Sequence, residues 1–213
     1  MALANNGYRV LAGLAGLRGK RNGSPRTELA VESLADALFL LLYAAGINQA
    51  TFMGYSFGCQ IPTMLAVRHP AVIRRLVLQG LTADPDARSL ICQIGRDWLN
   101  GRRARYRSSA AIGRIDYAKA GPWRALASMH KLIRGKIEAR LGLIQAPCLI
   151  VHGSRDPVAP LHWAQQACAL LPHSLLLVLE GATHTLNYVD PWSFAQVIDD
   201  FLQGRDDESE GES

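Results

Sequence analysis

Gly54-Tyr55-Ser56-Phe57-Gly58 sits between the apolar segment Ala50-Thr51-Phe52-Met53 and the apolar, helix-like run from Cys59 to Val67. The three pieces read as strand, sharp turn and helix. A G-x-S-x-G turn at such a junction suits an elbow: the two glycines relieve crowding where Ser56 takes a strained backbone conformation, and its hydroxyl is pushed clear of the sheet. The helix that follows aims its free N–H groups and positive dipole end at the serine, so an oxyanion forming there would be stabilised. By itself the pattern is a weak signal, because a chain of this length and glycine and serine content carries about 0.1 such matches by chance. Its surroundings have to carry the reading.

Those surroundings alternate strand and helix. Asn6 to Ala12 reads as a turn leading into a short strand, followed by a glycine-rich basic loop from Gly13 to Pro25. From Thr27 to Ala45, Val31, Leu34, Leu38, Leu41 and Leu42 follow helical spacing, and Gly46 is placed to end the helix. After the elbow, Arg74 to Gly80 reads as a buried strand. Pro147 to Gly153 and Leu175 to Glu180 are further strands around a helix from Pro160 to Leu171, and a last helix runs from about Pro191 to Leu202. This alternation predicts an α/β fold, a mostly parallel open sheet flanked by helices. Residues 84–143 interrupt it with basic, mostly helical sequence and no convincing strand, which reads as an inserted helical cap. The core is then 1–83 with 144–204, and the acidic end 205–213 reads as a disordered tail.

Composition narrows the function classes. With 213 residues, 49% of them hydrophobic, the chain can bury a core of its own. The longest uncharged apolar run, Ala37 to Ile47, is far short of the roughly 20 residues that span a bilayer. At the N-terminus apolar residues precede the basic cluster Arg18, Lys20 and Arg21, the reverse of a secretory signal, so a cytoplasmic protein is expected. Cys59, Cys92, Cys148 and Cys168 are widely spaced and mostly in apolar segments, which suits reduced, buried thiols better than a disulfide frame or metal site. Between Arg102 and Arg140 eleven Lys or Arg stand against Asp116 and Glu138. The stretch reads as a solvated helix surface or as an attraction for an acidic substrate; without a nucleic-acid-binding motif it does not predict nucleic acid.

A serine hydroxyl needs a histidine to take its proton and a carboxylate to orient the imidazole. Asp156 lies in Gly153-Ser154-Arg155-Asp156-Pro157, just past one buried strand, and His184 in Gly181-Ala182-Thr183-His184, just past the next. If the elbow strand is parallel to both, the three side chains emerge at one edge of the sheet. His152 is a rival base at a strand end, and Asp84, after the preceding strand, a second candidate for the acid.

With these residues in place the chain resembles the α/β-hydrolase-fold serine hydrolases from Gly7 to about Leu202. Gly7-Tyr8-Arg9-Val10 is similar to that family's fourth strand, Gly54 to Gly58 to its elbow, Arg74 to Gly80 to its sixth strand, Val151 to Pro157 to its acid turn and Gly181 to His184 to its histidine turn. The resemblance implies Ser56 as nucleophile, His184 as general base and then acid, Asp156 as orienting acid and the Phe57 N–H as an oxyanion donor. It gives His152 no catalytic role and implies no cofactor. It also implies a small-molecule ester, thioester, lactone or related carbonyl substrate, with carbon–carbon hydrolysis within range; a serine where dehalogenases and epoxide hydrolases carry aspartate argues against those two chemistries. The family's first three strands have no counterpart, so the expectation is an N-terminally shortened member. The gap beside the elbow is then closed by Tyr8 to Leu11 or left as an exposed edge that invites self-association, and the catalytically impaired alternative is a binding or interaction protein.

Overall fold

An apolar strand has to find cover for side chains that alternate between its two faces. The two inner strands of this chain do so strictly. Leu76 and Leu78 join one core, with Cys148 and Ile150 of the neighbouring strand; Val77 joins another, with Leu149 and Val151. All seven are nearly sealed from solvent.

The computed structural model describes residues 2–11, 30–82, 84–103 and 135–204. In chain order the elements begin with α1 (Ala2–Asn5), α2 (Val31–Ala44), β1 (Ala50–Tyr55), a tight 3-10 turn (Ser56–Cys59), α3 (Gln60–Arg68) and β2 (Ile73–Gln79). They continue with α4 (Leu90–Arg103), α5 (Glu138–Leu141), β3 (Cys148–Gly153), α6 (Leu161–Leu170), β4 (Ser174–Leu179), α7 (Leu186–Val189) and α8 (Pro191–Gln203). The four strands form one sheet in the order β1-β2-β3-β4, and every pairing is parallel. Parallel neighbours need crossovers, and the helices supply them. Leu42 of α2, Leu65 of α3 and Trp163 and Ala167 of α6 cover one face; Leu186 of α7 and Phe194, Ile198 and Phe201 of α8 cover the other.

The last helix shows why these boundaries fall where they do. Asp190 caps α8 by accepting from the Ser193 N–H at 3.1 Å, Pro191 opens its first turn, and Gly204 closes it at φ 71°. Across the sheet the register aligns Tyr55 with Gln79 and Gln79 with Val151, so the strands end together at their C-terminal edge.

One expected strand is absent from the described residues. Residues 8–11 form no strand; the chain turns at Gly7, with φ 86°, and the Tyr8 hydroxyl donates to Asp199 Oδ1 at 2.6 Å, which fastens the segment to α8. Tyr8 to Leu11 therefore does not pair with β1, which forms one edge of the described sheet with Met53 46% exposed. Of the expected cap, 84–103 and 135–143 are described, are helical or irregular and hold no strand. Residues 104–134, the loop from Gly13 to Pro25 and the acidic tail lie outside the described residues. Cys59 and Cys148 are buried free thiols, as expected, but Cys92 is exposed. Among the described residues no helix is long and apolar enough to cross a membrane.

Truncating a side chain between the two helical layers tests this packing. Leu76, fully buried in β2, should cost about 2–5 kcal/mol when replaced by alanine. Urea denaturation of Leu76→Ala checks this, and a loss within about 0.5 kcal/mol would contradict the central position of β2.

Candidate active site

The turn after β1 is forced by close contact. A Cβ on Gly54 would lie 2.6 Å from the Cys59 Cα, so only glycine lets the strand and the following helix meet this tightly. Gly58 differs from the sequence expectation: a Cβ there would meet open space, so it relieves no crowding. Between them Ser56 has φ 52°, the one non-glycine positive φ among the described residues. That left-handed conformation costs roughly 1–2 kcal/mol for an ordinary residue. Its result is a hydroxyl projected from the strand end. Phe57 follows in the 3-10 turn, whose first N–H groups have no acceptor within the helix.

Two other strand ends deliver the partners. His184 Nε2 lies 2.9 Å from Ser56 Oγ, and His184 Nδ1 lies 2.7 Å from Asp156 Oδ2. A carboxylate only accepts, so Nδ1 carries the proton and Nε2 is left to accept from the serine. Asp156 uses its other oxygen as well: Oδ1 accepts from the Val158 N–H at 2.8 Å and the Ala159 N–H at 3.1 Å. Both His184 and Asp156 are buried. The carboxylate is thus anchored by its own loop, and the imidazole by the carboxylate.

Two glycines that the sequence reading placed at the ends of strands shape the histidine's surroundings. A Cβ on Gly80, at φ +57°, would sit 2.7 Å from His184 Cε1, so the imidazole lies directly on that backbone. A Cβ on Gly153 would strike the Ala182 carbonyl oxygen at 2.6 Å, so the end of β3 and the turn before His184 approach only because that side chain is missing. The Tyr55 ring stands 5.2 Å from the imidazole, centroid to centroid, at 41°. A strand followed by glycine is the one sequence signal for either contact.

The rivals are placed elsewhere. His152 is buried on β3 with its Nε2 lacking a hydrogen-bond partner, and it is His184 that reaches Ser56. Burial holds the His152 pKa below its ordinary value; Asp156 opposes that shift and His184 adds to it. Asp84 is buried, and its Oδ2 meets Arg96 of α4 at 2.9 Å while Oδ1 accepts from the Asp86 N–H. Asp156 is the carboxylate on the imidazole. Asp84, Asp86 and His162 bring oxygen and nitrogen atoms within 4.8 Å of one another. The guanidinium already on Asp84 makes this an ion-pair junction, since a metal cation there would face a positive charge.

The family described as "Alpha/beta hydrolase family" matches residues 1–195. The chain is similar to the protein named "Putative carbamate hydrolase RutD" of Pseudomonas savastanoi pv. phaseolicola, with 25% identity over 84% of this chain and 77% of that protein. It is 30% identical to "Serine hydrolase BPHL" of Mus musculus over 76% of this chain and 58% of that one. It is 29% identical to "Pimeloyl-[acyl-carrier protein] methyl ester esterase" of Neisseria meningitidis serogroup A over 85% of this chain and 64% of that one. The solved structure "Est816 as an N-Acyl homoserine lactone degrading enzyme" superposes with a TM-score of 0.69 at 23% identity, over 84% of this chain and 77% of that chain.

The buried imidazole of His152 makes a stability prediction. Its folded pKa is lowered, so the unfolded chain binds a proton first on acidification; the stability it contributes is full above about pH 6.5 and is lost as pH falls from there. The urea midpoint should therefore drop between about pH 7 and pH 5, and His152→Gln should drop less over the same window. Equal slopes for the two proteins would show that His152 is not the group responsible.

Proposed function

This chain belongs to the alpha/beta hydrolase family, and from that premise we propose that it is a serine hydrolase cleaving an ester, thioester, lactone or related carbonyl substrate through an acyl-enzyme. The observation that carries the reading is the unbroken contact from Ser56 Oγ through His184 to Asp156, at 2.9 and 2.7 Å. The names of its relatives, among them a carbamate hydrolase and a methyl ester esterase, support carbonyl substrates with a leaving group.

The chemistry follows from the charges. Ser56 Oγ attacks the substrate carbonyl carbon as its proton passes to His184 Nε2. The resulting imidazolium is stabilised by Asp156, whose own charge is spread over two backbone N–H groups. Negative charge gathers on the former carbonyl oxygen, where the Phe57 N–H donates to it. Collapse expels the leaving group, which takes the proton from His184, and water activated by the same imidazole releases the acid and restores Ser56. The left-handed Ser56 presents its hydroxyl to His184 at the strand end.

The second reading, a binding protein that keeps the fold, draws on one feature: among the described residues β1 is a sheet edge beside Ser56. A fluorophosphonate probe separates the two. Wild-type protein should be labelled, Ser56→Ala should not be, and Asp156→Asn should be labelled about 10² to 10⁴-fold more slowly. A folded wild type that the probe leaves untouched supports the binding protein, and equal labelling of Ser56→Ala removes the serine from the mechanism.

A further inference from the structure

We propose that Gln79 is a positioning residue that sets the height of the His184 loop over the nucleophile; the inference rests on His184 being the base. Gln79 ends β2 in the middle of the site. Its register partners are Tyr55, which precedes Ser56, and Val151 of the acid strand. It is fully buried. Its neighbours in β2, Leu76 to Leu78, are aliphatic, so a carboxamide at this position calls for a reason.

The reason lies in what it touches. The Gln79 carboxamide Nε2 donates to the His184 carbonyl oxygen at 3.1 Å and to Asn187 Oδ1 at 3.2 Å. A backbone carbonyl only accepts, so the amide nitrogen must be the end that faces the loop. The Gln79 backbone carbonyl in turn accepts from the Cys59 thiol at 3.4 Å. One residue is therefore joined to the turn that carries Ser56 and to the turn that carries His184. Gly80, the next residue, supplies the surface on which the imidazole rests. Asp156 fixes the ring's direction, Gly80 its lower limit, and Gln79 the main chain from which it hangs.

The energetics favour positioning over plain stability. Gln79 Oε1 is buried without a hydrogen-bond partner, so the side chain carries an uncompensated polar atom that an aliphatic residue would lack. A residue selected for packing alone would not be a glutamine here. Replacing it with methionine, of similar length and without a donor, removes the orphan oxygen and the tether together, and the first gain offsets the loss of a donor to the His184 carbonyl and Asn187 Oδ1. A positioning role predicts a rate loss out of proportion to any change in stability.

The test compares wild type, Gln79→Met and Gln79→Glu by thermal unfolding, by the rate of fluorophosphonate labelling at Ser56 and by kcat and KM on a p-nitrophenyl ester. Gln79→Met should label and turn over about 10 to 100-fold more slowly, with KM within about 2-fold and an unfolding midpoint within about 4 °C of the wild type. In Gln79→Glu a carboxylate faces the His184 carbonyl and cannot donate until protonated, so its labelling rate relative to wild type should rise on acidification while that of Gln79→Met stays flat. A folded Gln79→Met with wild-type kcat overturns the proposal, as does a rate loss that follows a fall in unfolding midpoint. If the wild type itself is not labelled, the hydrolase reading fails first. The downfield proton resonance of His184 Nδ1–H then decides separately: broadening or loss in Gln79→Met supports the tether, and an unchanged resonance overturns it.

Discussion

One imidazole has to satisfy two partners in opposite directions, and most of the structure around it exists to make that possible. With 2.9 Å to Ser56 on one side and 2.7 Å to Asp156 on the other, His184 tolerates little movement of the strand ends. A shift of one residue in the register of a parallel strand would exchange its faces and carry the side chain away. The aliphatic alternation of β2 and β3, which fits only one register between two helical layers, is therefore a condition of the site as well as of the core. Packing energy is what holds this geometry, and the polar contacts select the last fraction of an ångström.

Local costs gather where this geometry is set. Ser56 stands in the left-handed region, Gly54 and Gly153 bring backbones closer than any side chain allows, and Gln79 and His152 bury polar atoms without partners. Strain and orphaned polar groups persist only where the surrounding structure over-determines them. Around the site, Trp163 Nε1 donates to the Leu81 carbonyl at 2.9 Å and Arg96 joins α4 to Asp84, so the segment leaving β2 is tied from two directions. The basic character read from residues 84–143 is partly spent internally: Arg88 meets Glu138, Arg96 meets Asp84 and Arg140 reaches Glu32.

Much of this was legible in the sequence because it is written in local pattern. Apolar runs bounded by glycine and proline marked β1 to β4 within a residue or two, and a serine, an aspartate and a histidine just beyond three of those runs indicated one edge of a parallel sheet. The segment from Tyr8 to Leu11 misled because a short apolar run looks the same whether or not a neighbour pairs with it; here the Tyr8–Asp199 hydrogen bond decides its course. Gln79 and Gly80 were read as the end of a strand, since nothing in their neighbours along the chain reveals that a loop about a hundred residues later lies on them. The choice between Asp84 and Asp156 was likewise a matter of tertiary distance, which pattern does not contain.

The claim on which the rest depends is that Ser56 forms a covalent acyl intermediate. Rapid quenching of the protein with excess p-nitrophenyl butyrate, followed by peptide mass spectrometry, measures this directly. A butyryl group on the peptide containing Ser56, formed and lost at rates that match turnover, is the predicted result. Turnover of the ester with no acyl group on that peptide, or with the acyl group on another residue, would contradict it.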